Sequence, residues 1–226
     1  SLKRVALLFT VWLFLGALLN LLFTQEQLFF AINSHYSSAL NYIMYGFTLL
    51  GDGLSVFLIC LLILFTSKKY QNIPLILNAI LVNYLPGLVT QYLKHSFNCE
   101  RPLKAIKELH KIHTESWWPV LHYNSFPSGH TATAFSLFLF CCFISTKKWI
   151  VPLGFTYALL GGYARIYVAQ HFPLDVGAGI LVAYCSVLLA WVIQIKYLNK
   201  EEYVAGHFGV ETRYPFLDND LVQEFL

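Results

Sequence analysis

FPSGHTATAFSLFLFCCFISTKKW, residues 126–149, carries a membrane span and the start of a reactive site in one stretch. From Ser128 to Thr146 it is almost wholly apolar, and about 20 such residues are needed to cross the hydrocarbon core of a bilayer. Lys147-Lys148 close the run at one end. At the other, Pro127-Ser128-Gly129-His130 opens it. Proline suits a helix start, glycine lets the backbone approach a ligand closely, and the unpaired N–H groups of a first turn favour an anion. Taken alone, a histidine there is a capping or solvated residue. What gives it meaning is the company it keeps.

Outward from this stretch, five more apolar runs fit membrane helices: 5–23, 53–66 with some preceding residues, 72–93, 149–168 and 174–195. The composition agrees, with 57% hydrophobic and 12% charged residues, against about one quarter charged in soluble domains. The expected fold is all-α: a polytopic six-transmembrane-helix bundle with an outward-facing active site, formed by one membrane domain over residues 1–198. Run 5–23 is long enough to span and lacks a small-residue cleavage site, so it reads as a retained helix. Residues 25–50 read as an interfacial helix. Asn78, Asn83, Pro86 and Gln91 are unsuited to lipid and are expected to face the bundle interior.

Basic residues set the orientation, because short cytoplasmic loops are enriched in them. Lys3-Arg4, Lys68-Lys69, Lys147-Lys148 and Lys196 with Lys200 share one side of a six-span chain. The loop from about 94 to 127 then faces out, although it carries Lys94, Arg101, Lys104, Lys107 and Lys111. Such a concentration against the rule points to anion binding. The net charge of +3 is modest and its basic residues come in pairs, which argues against a nucleic-acid partner.

Three segments at the outer helix ends combine: Lys94 with Arg101-Pro102, Pro127 to His130, and Arg165 with His171 and Asp175. Phosphoryl transfer spreads negative charge over equatorial oxygens, which fixed cations stabilise. Two arginines and a lysine supply that cradle. His171 and Asp175, four apart, can meet so that the carboxylate fixes the ring tautomer and frees the other nitrogen to attack phosphorus. His130 is placed to protonate the leaving alkoxide.

These segments resemble the tripartite signature of the type 2 phosphatidic acid phosphatase superfamily, which includes membrane lipid phosphatases, glucose-6-phosphatase and vanadium haloperoxidases. The resemblance covers roughly residues 1–198. It implies that Lys94, Arg101, Ser128, Gly129 and Arg165 hold the phosphate, that His171 forms a phosphohistidine assisted by Asp175, and that His130 is the acid. It implies no metal and no cofactor. Ala164 stands where the family usually has serine before the arginine, which removes one hydroxyl.

The implied substrate is a lipid phosphate monoester or pyrophosphate. The Lys-, His- and Trp-rich loop favours a lipid A-type phosphate or undecaprenyl pyrophosphate, with phosphatidylglycerophosphate and phosphatidic acid as further options. The implied place is a bacterial inner membrane, with the site on the periplasmic face. Rival readings are a lipid phosphotransferase that uses an acceptor hydroxyl and a non-catalytic membrane lipid-binding protein. His95, His110, His113 and His122 read as solvated loop residues, and Trp117-Trp118 as part of an interfacial belt. The five cysteines lack the spacing of disulfide or zinc frameworks. Residues 199–226 form a polar tail, in which Glu211 to Phe225 resembles a short segment of the asparagine synthetase family without that family's nucleotide-binding segment.

Overall fold

The computed structural model describes residues 2–66, 73–145 and 147–207. All of the regular structure among them is helical: α1 (Leu2–Leu22), α2 (Gln25–Asn33), α3 (Ser38–Leu50), α4 (Gly53–Phe65), α5 (Ile73–Phe97), the single turn α6 (Pro102–Ala105), α7 (Gly129–Ile144), α8 (Ile150–Tyr167) and α9 (Pro173–His207), with a short 3-10 turn at Leu109–Lys111. Each of the six apolar runs is a helix. By length and apolar character two described helices suffice to cross a membrane, those of α5 and α9. Two bent pairs add to these if each is one span: α1 with α2, at 112°, and α3 with α4, at 68°.

α7 is the axis of the bundle, with α4, α5, α8 and α9 packed around it. Every residue from Thr131 to Phe140 is buried, and Phe135 and Phe138 join Phe9 and Phe155 in a cluster of edge-on and stacked rings. The outer helices show the reverse pattern. Leu7, Phe14, Leu58, Leu62, Leu77, Tyr84, Leu181 and Leu189 are exposed, as expected where the surroundings are lipid rather than water.

Small residues let the neighbours close on α7. A Cβ added at Gly179 of α9 would lie 2.5 Å from the Ser128 carbonyl oxygen, and one at Gly154 of α8 would lie 2.7 Å from the Phe138 ring. At Gly162 the nearest atom would be Val176 Cγ1 at 3.0 Å. Membrane helices associate through this kind of close backbone approach, because lipid offers no hydrophobic drive between them.

Two sequence expectations change. Residues 25–50 are not one interfacial helix: α2 and α3 are separate, broken at Ser34–Ser37, and both pack on α8. Gln91 is exposed rather than inward, whereas Asn83 does turn inward and donates to the Gly53 carbonyl at 3.2 Å. α9 continues past residue 198 to His207. The remainder of the expected tail, 208–226, lies outside the described residues, as do Lys68 and Lys69.

Candidate active site

The site is assembled where α5, α7, α8 and α9 end together. Ser128 starts it. Its side chain caps α7 by accepting from the Thr131 amide at 3.4 Å and the Thr131 hydroxyl at 2.8 Å, and its own amide donates to the Asp175 carbonyl at 2.9 Å. The cap and the first helical bond, from Ala132 to the Ser128 carbonyl, use two first-turn donors. The amides of Gly129 and His130 are left at the positive end of the helix. A Cβ built on Gly129 would stand 3.7 Å from Lys94 Nζ and 3.6 Å from Thr90 Oγ1. The lysine at the end of α5 therefore lies over the start of α7.

His171 is almost fully buried in the turn between α8 and α9, and its backbone amide donates to the Arg165 carbonyl at 3.1 Å. Its Nδ1 faces Asp175 Oδ2 at 3.5 Å and its Nε2 faces Arg101 Nη1 at 3.5 Å. The Nδ1 contact is at the outer edge of hydrogen-bonding range, and the Ser125 backbone also bears on the ring. Catalytic hydrogen bonds are often this long without substrate. Burial first, then the charges of Arg165, Arg101 and Lys94, push the imidazole well below its ordinary value. The ring is therefore neutral near pH 7, with a lone pair available.

Asp175 is fixed by Ser125, whose hydroxyl donates to Oδ2 at 2.6 Å, and by the Phe172 amide, which donates to the same oxygen at 2.8 Å. Arg101 is fixed by four acceptors: the carbonyls of Tyr123 at 2.8 Å, Asn124 at 3.1 Å and Gln170 at 2.9 Å, and the Gln170 side-chain oxygen at 3.2 Å. Arg165 is buried and its Nε has no protein partner. An unpaired buried guanidinium N–H is costly, and an anion in the cradle would satisfy it.

The structure thus brings together Lys94, Arg101, Ser128, Gly129, Arg165, His171 and Asp175. His130 stands on the same helix start, half-buried, with Nε2 3.6 Å from Asp52 Oδ2. Sequence reasoning missed Ser125, Gln170 and Asp52. The first two flank motif residues but match no pattern, and Asp52 is remote along the chain. It also misread His113, which is not solvated. Asn33 donates to the His113 carbonyl at 3.0 Å and accepts from its amide at 2.8 Å, while the His113 ring stacks on Tyr36. Asn33 donates as well to the Tyr167 carbonyl at 2.8 Å. The polar loop is thereby clamped to α2 and α8 just before His171.

Residues 73–198, more than half of the chain, match the model of the PAP2 superfamily. The chain belongs to this superfamily. It is a membrane lipid phosphatase of the PAP2 type, a hydrolase of phosphoric monoesters or pyrophosphates. Among its PAP2 relatives is the undecaprenyl-diphosphatase BcrC of Bacillus subtilis, 31% identical over 161 residues, which are 70% of this chain and 77% of that protein. An undecaprenyl-diphosphatase of Sulfolobus acidocaldarius is 29% identical over 157 residues, 69% of this chain and 71% of the other. The crystal structure of Aquifex aeolicus LpxE superposes with a TM-score of 0.63 at 32% identity, over 74% of this chain and 93% of that one.

Proposed function

We propose that this PAP2 phosphatase hydrolyses the terminal phosphate of a polyprenyl pyrophosphate through a phosphohistidine on His171. The observation that carries the chemistry is the setting of the His171 ring, with Nδ1 toward Asp175 and Nε2 toward Arg101 inside a cluster of cations. Nε2 attacks phosphorus, while Lys94, Arg101, Arg165 and the first-turn amides after Ser128 take the charge on the phosphoryl oxygens. His130 gives a proton to the leaving oxygen and then accepts one from the water that cleaves the N–P bond.

Two relatives that each align over about 70% of the chain are named undecaprenyl-diphosphatases, which favours the pyrophosphate. A lipid A-type phosphate is the second reading, supported by similarity to a lipid A 4'-phosphatase of Bacteroides thetaiotaomicron, 33% identical over 57 residues, 25% of this chain and 25% of that protein. The six-span topology with the site on the outer face rests on the four basic clusters, and it places the substrate on the periplasmic side of a bacterial inner membrane.

The test is phosphate release by purified protein from undecaprenyl pyrophosphate and from lipid A, with mass spectrometry of the lipid products. Undecaprenyl monophosphate is the expected product, and His171→Ala is expected to lose at least about 10³-fold in turnover, as nucleophile removal does. Phosphate trapped on a residue other than His171 would overturn the assignment, and phosphate passed to an acceptor hydroxyl would make the protein a transferase.

A further inference from the structure

Read along the chain, Gly51-Asp52-Gly53 is only an interruption before an apolar run. In the folded protein it is held from both sides. Gly51 ends α3, Asp52 caps α4, and the two helices diverge by 68° there. The Thr133 hydroxyl of α7 donates to the Gly51 carbonyl at 2.6 Å, and Asn83 of α5 donates to the Gly53 carbonyl at 3.2 Å. A Cβ at Gly51 would lie 3.4 Å from the His130 carbonyl oxygen, so this bend passes directly against the start of α7. The two Asp52 oxygens then divide their work. Oδ1 accepts from the Leu54 amide at 2.9 Å as the cap, and Oδ2 is 3.6 Å from His130 Nε2.

We infer that Asp52 is the positioning residue for His130, pairing with it as Asp175 pairs with His171, so that the site is built from two histidine–carboxylate pairs. The inference rests on the phosphohistidine reading above. Asp52 also lies ahead of residues 73–198, the part of the chain that carries the family match. The groups that bear on His130 from the packed elements are Lys94 from α5, Arg165 from α8, His171 and Arg101 from the connecting segments, and Asp52 from the bend. Of these, Asp52 alone brings negative charge. A proton donor among three cations needs such an anion to keep its proton until it is used.

In the first step the His171–phosphorus bond forms, the bond from phosphorus to the leaving oxygen (anhydride in a pyrophosphate, ester in a monoester) breaks, and the His130 proton goes to that oxygen. In the second, water attacks phosphorus, its proton goes to His130, and the N–P bond breaks. Asp52 remains an anion throughout and holds the ring in place for both transfers.

Asp52→Asn separates this role from capping, because asparagine caps a helix as well as aspartate does. The variant is assayed in detergent on a long-chain alkyl phosphate, whose alkoxide needs a proton to leave, and on an alkylated nitrophenyl phosphate, whose phenolate does not. The expected result, read as the single-turnover rate of phosphoenzyme formation, is at least a tenfold loss with the alkyl ester, less than twofold with the aryl ester, and a basic limb of that rate's pH profile moved to lower pH. In a His130→Ala background Asp52→Asn should cost nothing further. Equal losses on both esters, an unmoved pH profile, or additive losses with His130→Ala would each overturn the inference. His171→Ala run beside it separates the two claims. Retained activity there defeats the phosphohistidine reading and the inference with it, whereas loss there with an unaffected Asp52→Asn defeats the inference alone.

Discussion

His171 is held toward a carboxylate by one ring nitrogen and toward Arg101 by the other, which ties its protonation to folding. The folded ring is pushed well below 6.5, while in the unfolded chain it titrates near its ordinary value of about 6.5. Above that value neither state is protonated at this residue. As the pH falls below it, the unfolded chain takes up a proton that the fold refuses, so stability is lost with acid by up to ~1.4 kcal/mol per pH unit. The melting temperature in detergent should therefore drop more between pH 7.5 and 5.5 for the parent than for His171→Asn; equal drops would show that the buried imidazole is not responsible. The motif residues themselves were legible, because their side-chain chemistry and spacing point to phosphate wherever the chain places them. Ala164, the departure from the usual serine, is fully buried beside Met44, Trp118 and Tyr167. Ser125, Gln170 and Asp52 were not legible, because what matters is which atoms they reach across the fold.

At the scale of elements, the positions of all six apolar helices could be read from hydropathy, but their closeness could not. Nothing in the run Gly177 to Gly179 distinguishes one glycine from the other by sequence. In the structure Gly177 has open space where a Cβ would go, while Gly179 presses against the peptide of Ser128. Gly179→Ala should push α9 away from the start of α7, with an overpacking cost of about 1–3 kcal/mol, and should disturb the amide-to-Asp175 bond of Ser128. The paired prediction is that Gly177→Ala melts and turns over like the parent while Gly179→Ala melts lower and loses most activity. Similar behaviour of the two variants would show that the contact is not limiting. The breaks were only half visible for a related reason. Gly51-Asp52-Gly53 signals an interruption, but the 68° bend follows from the bonds that Thr133 and Asn83 make to its carbonyls.

For the whole molecule, orientation can be tested through Cys99, half-buried in the loop after α5. Burial first, and then the Asp175 carboxylate, raise its thiol above the ordinary value, so the neighbouring cations do not activate it and labelling needs mildly alkaline buffer. Cys60 and Cys142 are buried, and Cys185 is exposed on the apolar flank of α9 between α5 residues Leu85 and Val89 and α9 residues Leu181 and Leu189. A membrane-impermeant maleimide added to intact spheroplasts should label the parent but not Cys99→Ser, and vanadate should slow the reaction. Labelling only after the cytoplasmic face is opened would invert the topology. Under the proposed topology, the length of the central helix bears on where the reaction takes place. Taken as a span, the 16 residues of α7 rise about 24 Å, some 6 Å short of a hydrocarbon core about 30 Å thick. The phosphate cradle at its tip then sits sunk below the plane of the headgroups, like the bottom of a shallow well. A phosphate already tethered to a chain in the same leaflet reaches that depth by sliding sideways, while a free phosphate ester must leave bulk water to get there. Under the proposed six-span topology, substrates would be sorted by depth before any headgroup is recognised.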